Sequence, residues 1–108
     1  MEIKQPDFIA ILKYKSAEEG GRKTPACTGY RPAIKFSFSD ILTSGQQIFI
    51  DKDLVYPVET VTAQITMVSS HLVEKKLNKG TLFDFREVNI IIGTGEIIEI
   101  INAKLKII

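Results

Sequence analysis

The chain has 108 residues, 44% of them hydrophobic and 25% charged, a balance that fits an ordinary globular domain and excludes disordered and collagen-like classes. Fourteen Lys and Arg against thirteen Asp and Glu leave a formal net charge of +1, so no global field draws the protein to nucleic acid and any RNA contact has to be local. A lone cysteine, Cys27, excludes an intrachain disulfide, a paired-thiol metal site and a redox motif.

A chain this long buries roughly two thirds of its unfolded surface as a single domain, which is the expectation for residues 1–108. The opening Met-Glu-Ile-Lys-Gln-Pro-Asp has no basic region followed by an apolar core, and no apolar run approaches the roughly 20 residues that span a bilayer. The expected setting is the cytoplasm, with no membrane contact.

From Asp7 to Lys15 apolar residues fall on alternate positions, with Phe8, Ala10, Leu12 and Tyr14 on one face, which predicts a strand after Pro6. Glu18 to Pro32 is a long connection. Gly20, Gly21 and Gly29 invite positive φ, and Pro25 and Pro32 lack the donor a sheet ladder requires, so neither helix nor strand is expected there. A connection of this length between apolar strands is a binding surface in prospect. Ala33 to Ser39 alternates again, with Ile34, Phe36 and Phe38 facing inward.

Asp40 to Gly45 reads as a turn, and Gln47 to Ile50 as a short strand ended by Asp51-Lys52-Asp53. Glu59 to Val68 carries the clearest pattern, with Val61, Ala63, Ile65 and Met67 inward and Thr60, Thr62, Gln64 and Thr66 outward. Threonine favours strand over helix at such positions. Ser70 to Asn78 breaks the alternation, and Val73 with Leu77 predicts one short helical stretch capped by Ser70 and ending near Gly80. Leu82 to Glu87, Asn89 to Ile92 and Glu96 to Ile108 read as strands, the last two separated by Gly93-Thr94-Gly95. In the final segment Ile97, Ile101, Leu105 and Ile108 also approach helical spacing, but stiff isoleucines favour strand. Many short strands with one helical turn predict an all-β antiparallel barrel or sandwich.

Two stretches carry a resemblance. Glu18-Glu19-Gly20-Gly21-Arg22-Lys23-Thr24-Pro25 followed by Gly29-Tyr30-Arg31-Pro32 resembles the signature loop of the third, C-terminal barrel domain of bacterial elongation factor Tu. Phe83-Asp84-Phe85-Arg86-Glu87, Gly93-Thr94-Gly95 and Ile97-Ile98 resemble the late Arg-Glu and Gly-x-Gly segment of the same domain, in the same order. The resemblance runs from about Phe8 to Asn102 and implies a closed barrel. It further implies that the loop and the Arg-Glu block lie together, where that family contacts the backbone of aminoacyl-tRNA. Arg22, Lys23, Arg86 and Glu87 match the family's positions, and Ser44 lies near its hydroxyl-bearing turn; Gly20, Gly21, Tyr30, Arg31 and Pro32 match as loop-shaping residues. The cations suit phosphates, and a hydroxyl and a carboxylate suit ribose hydroxyls. Ala33 stands where the family has Gln, and Val88-Asn89-Ile90 where it has Gly-Gly-Arg. The family's GTPase domain has no counterpart here, so no nucleotide is expected.

The competing reading of Glu18, Arg22, Arg31, Arg86 and Glu87 is an ion-paired lattice that fastens the loop to the barrel, since Arg offers five donors to a carbonyl-rich loop. Lys75, Lys76 and Lys79 read as a solvated face. His71 is the sole histidine and reads as a surface or capping residue; Cys27 reads as a small loop-packing residue. Gly93-Thr94-Gly95 lacks the third glycine of a dinucleotide fingerprint and reads as a place for strands to bend. No metal site, cofactor or catalytic group is expected. The sequence reading is a non-catalytic module that docks a protein partner through the loop face, with structured RNA such as tRNA as the alternative.

Overall fold

The computed structural model describes residues 5–107. The alternating segments form β1 (Phe8–Tyr14), β3 (Ala33–Phe36), β4 (Thr43–Phe49), β6 (Thr60–Met67), β7 (Leu82–Glu87) and β8 (Ile90–Ile100), while β2 (Ala26–Cys27) and β5 (Leu54–Val55) lie in connections. The six longer strands close in the order β1–β6–β4–β3–β7–β8, with β8 returning to β1 and every pairing antiparallel. Closure removes the unpaired edges an open sheet would leave. No helix among the described residues is long and apolar enough to cross a membrane.

The predicted inward sets of β1, β6 and β7 are buried, together with Ile34, Phe36, Phe49 and Ile97, each large side chain contributing about 1.5–3 kcal/mol relative to exposure. Aromatic rings fill the interior in two groups. Phe8 meets Phe36 and Phe83 edge-on at 6.3 and 5.8 Å, and Tyr14 meets Phe85 and Phe49 at 4.9 and 6.4 Å. Gly93 and Gly95 make room for them. A Cβ on Gly95 would stand 2.2 Å from Phe83 Cζ, and one on Gly93 2.1 Å from Phe85 Cζ. Each phenylalanine is the cross-strand partner of its glycine, so the rings lie over bare backbone, a large-over-small pairing that a narrow barrel requires.

That arrangement changes the reading of the last third of the chain. The glycines do not separate two strands; β8 runs through them for 11 residues. The bend sits beside them, where the β7 register shifts between Phe85 and Arg86, and again where the β1 register shifts between Ile9 and Ala10. Beyond Ile100 the predicted strand gives way to a 3-10 turn at Ala103–Leu105, which Asn102 caps by accepting from the Lys104 N–H. The reason is Asp7, buried at the start of β1: its carboxylate accepts from the Met67 N–H at 2.6 Å and from Asn102 Nδ2 at 2.9 Å, turning the chain aside. Leu105 is then buried, and Leu77 N–H donates to its carbonyl at 2.8 Å.

The predicted helical stretch is a single 3-10 turn, Ser70–Val73, without a side-chain cap. Val73 and Leu77 are buried as expected. Phe38 departs from its predicted place, because β3 ends at Phe36 and the Phe38 ring stacks outside on Phe36 at 5.6 Å.

Antiparallel order sends three connections to one end of the barrel: residues 15–32, residues 50–59 and the 88–89 hairpin. The first two pair with each other there as β2 and β5, Ala26 opposite Val55 and Cys27 opposite Leu54. A strand inside the glycine-rich loop is a correction to the sequence reading. Ala26 and Val55 are buried and Cys27 is exposed, so the packing residue of the loop is Ala26.

Candidate functional site: the loop end of the barrel

The loop is shaped before it is anchored. Ser16 and Glu19 bond reciprocally, Glu19 N–H to Ser16 Oγ at 3.1 Å and Ser16 Oγ to the Glu19 carboxylate at 3.0 Å. The Ser16 hydroxyl holds the Glu19 carboxyl below its ordinary range. Gly20 then turns the chain at φ 96, and Gly21 passes so close to Lys15 that a Cβ would stand 2.4 Å from its carbonyl oxygen. Only glycine fits there.

This turn delivers Arg22 to the barrel mouth. Its Nη1 donates to Glu87 at the end of β7, Nε to the Thr24 carbonyl at 3.3 Å, and Nη2 to Thr24 Oγ1 and the Pro25 carbonyl at 3.2 Å each. The guanidinium also lies over the Tyr30 ring, 4.9 Å from its centre. Partial burial works against its charge, and hydrogen bonding to Tyr30 and Glu87 more than offsets this, so Arg22 is held above its ordinary range. Tyr30 donates its hydroxyl to the same Glu87 oxygen. Burial first, and the Glu87 carboxylate second, push the Tyr30 phenol well above the usual tyrosine range.

Behind this cluster lies a buried polar pair. Tyr14 donates to Gln47 Oε1 at 2.5 Å, and Gln47, fully buried, exchanges backbone hydrogen bonds with the loop at Gly29 and Tyr30. Its Nε2 has no hydrogen-bond partner among the described residues. Burial, then the neighbouring Tyr30, drive the Tyr14 phenol far above its ordinary value.

The structure thus brings Arg22, Tyr30 and Glu87 together and separates Arg86 from them by one side of the strand. Arg86 faces outward and grips Asp84 with two hydrogen bonds, Nε to Oδ1 at 2.7 Å and Nη2 to Oδ2 at 3.0 Å, which hold its guanidinium above its ordinary range. Ser44 stands on the same outer row, across Ala33 from Arg86. Lys23 and Arg31 are exposed and have no ion pair or hydrogen-bonding side-chain partner among the described residues. Pro32 is buried, its carbonyl accepting from Gly45 N–H at 3.4 Å. The ion-paired lattice therefore exists in part: Arg22 and Glu87 belong to it, Arg86 pairs within its own strand, and Glu18 and Arg31 stay outside.

No model of a known protein family matches the chain. Among the described residues no group of three or more His, Cys, Asp or Glu is placed to hold a metal ion.

The residues missed from sequence are apolar. Val88 and Asn89 form the β7–β8 hairpin tip with φ 48 and 66, the two left-handed positions of a tight hairpin. Val88 is 95% exposed and Ile90 56%. On the neighbouring connection Tyr56, Pro57, Val58 and Glu59 form a turn closed by Glu59 N–H to the Tyr56 carbonyl at 3.1 Å, with Val58 at φ 79 and also largely exposed. A β-branched residue is strained at positive φ. The signal was present in Val88-Asn89-Ile90, two β-branched residues around an asparagine between strands that alternate on either side.

Proposed function

We propose that this protein is a non-catalytic binding module, one domain similar to the third barrel domain of elongation factor Tu, that docks a protein partner at the loop end and serves a translation-related role. The supporting observation is the chemistry of that end. Val88 and Ile90 expose apolar surface on either side of Asn89 at the hairpin tip next to Glu87, while Arg22 and Arg86, the cations an RNA backbone would need, are engaged by Glu87 and Asp84. Breaking those pairs to reach phosphates costs part of what the new contacts return. Burying an exposed valine on a partner contributes about 1.5–3 kcal/mol, and strained exposed residues are characteristic of functional surfaces.

Structured RNA, tRNA included, is the second reading. It rests on Lys23 and Arg31, which are exposed and uncommitted beside the loop, and on the outer row of Ser44 and Arg86. The two readings separate in one experiment, with wild type and Val88→Asp used as bait in native lysate and captured protein and RNA both identified. The protein reading expects a protein captured by wild type and lost by Val88→Asp. RNA retained by both baits, released as salt rises and lost with Lys23→Ala, supports the second reading and overturns the first.

A further inference from the structure

On the outer wall, below the loop end, a hollow of about 450 Å³ crosses β1, β8, β7 and β3. Its upper row is Lys13, Thr94, Asp84 and Lys35, adjacent across successive strands, and the row beneath runs through Ile11, Glu96 and Leu82. Phe83 and Gly95 face the interior and form the floor, so at the centre only the small Thr94 rises between longer neighbours. Ile11 and Leu82 are 42% and 53% exposed and supply the apolar walls.

Charge decides what such a hollow takes. Asp84 is satisfied on both oxygens by Arg86. Among the described residues Lys13 is exposed without an ion pair, and Lys35 has only Asp40, at 3.9 Å and itself fully exposed, a contact of little strength. Two available cations therefore flank the upper row, while the exposed Glu96 places a carboxylate in the row beneath. An acidic ligand is drawn to the ends of the upper row and kept off its lower edge. Three interstrand steps of about 4.8 Å put the lysine Cα atoms about 14 Å apart along the row. In an extended peptide, residues i and i+4 point the same way and are separated by about 13–14 Å, with i+2 midway.

We propose that the wall hollow binds an extended segment of a partner protein in which one large apolar residue is flanked, two positions to each side, by Asp or Glu. The acids meet Lys13 and Lys35, the apolar side chain enters between Ile11 and Leu82 over Thr94, and an N–H of the segment faces Glu96. The hollow meets the loop end at Asp84, which Arg86 grips, but Arg22, Tyr30, Glu87 and Val88 do not line it, so peptide binding here is read separately from loop-end docking.

The test is an amide ¹H–¹⁵N titration of the full chain with the capped peptide Glu-Ser-Phe-Ser-Glu. Saturable shifts are expected at Ile11 to Lys13, Lys35 to Ser37, Leu82 to Asp84 and Thr94 to Glu96, weakening as salt rises. Lys13→Glu and Lys35→Glu each weaken binding by about twofold to fivefold, the worth of one screened ion pair. Thr94→Tyr, which fills the hollow at an exposed position without adding charge, abolishes the shifts while the rest of the spectrum stays native. Absence of shifts at the hollow overturns the proposal, as do equal shifts with Lys in place of both Glu, or with Gly in place of Phe. Octanoate producing the same shifts as tightly as the peptide also overturns it, by assigning the hollow to small amphiphilic carboxylates.

Discussion

Val88 offers a sharp perturbation because its folded-state contacts are almost nil while its backbone is strained. It is 95% exposed at φ 48, so replacing it forfeits little burial, whereas a left-handed conformation costs an L-residue about 1–2 kcal/mol. Asn tolerates that conformation and suits a tight hairpin. Val88→Asn is therefore expected to stabilise the protein by about 1 kcal/mol, raising Tm by about 4 °C for a domain of this size. Val88→Gly relieves the same strain but gains less, since the freer unfolded chain takes back about 0.5–1 kcal/mol. Urea denaturation reads both, as a higher midpoint at unchanged slope. The more stable Val88→Asn is also expected to lose the protein partner, a trade of binding against stability. A Val88→Asn protein no more stable than wild type would refute the strain argument, and one that keeps its partner would refute the anchor.

Other expectations follow from the same contacts. Glu87→Ala removes the common acceptor of Arg22 and Tyr30, and for a partly exposed cluster should cost about 1–2 kcal/mol; limited trypsinolysis should show faster cleavage after Arg22 or Lys23. Gly95→Ala forces a Cβ to 2.2 Å from the Phe83 ring and should destabilise by about 1–3 kcal/mol, with Phe83→Leu recovering part of the loss in denaturant melts. Tyr14 and Tyr30 have folded-state pKa values raised by burial, so their stabilisation is complete below the unfolded value of about 10 and is lost as pH rises above it. Phenolate absorbance should show both protonated until the barrel unfolds in alkali, and Tyr14→Phe should flatten the alkaline decline in stability.

Much of the barrel is legible in the sequence because a half-buried strand must alternate: the inward sets of β1, β6 and β7 follow from period two alone. The limits are equally physical. Phe38 continues the alternation of Ile34 and Phe36 yet lies outside, since periodicity does not say where pairing stops. Asp7 precedes a strand like any polar residue, and its role as a buried clamp on Met67 and Asn102 depends on partners about 60 and 95 positions away. Within the site, Arg86 and Asp84 share a face by their spacing of two, so their pairing was readable. The union of Arg22, Tyr30 and Glu87 required the loop's path across the barrel mouth, and Gly93 and Gly95 needed their cross-strand phenylalanines before their purpose was visible.

The loop-end reading is tested most directly by a small apolar photo-crosslinking residue in place of Val88, activated in native lysate and followed by separate protease and RNase treatment of the adduct. The expected product is protease-sensitive, RNase-resistant and suppressed by excess wild-type protein but not by excess Val88→Asp. An RNase-sensitive adduct would contradict that reading, as would a protein adduct that Val88→Asp suppresses equally well.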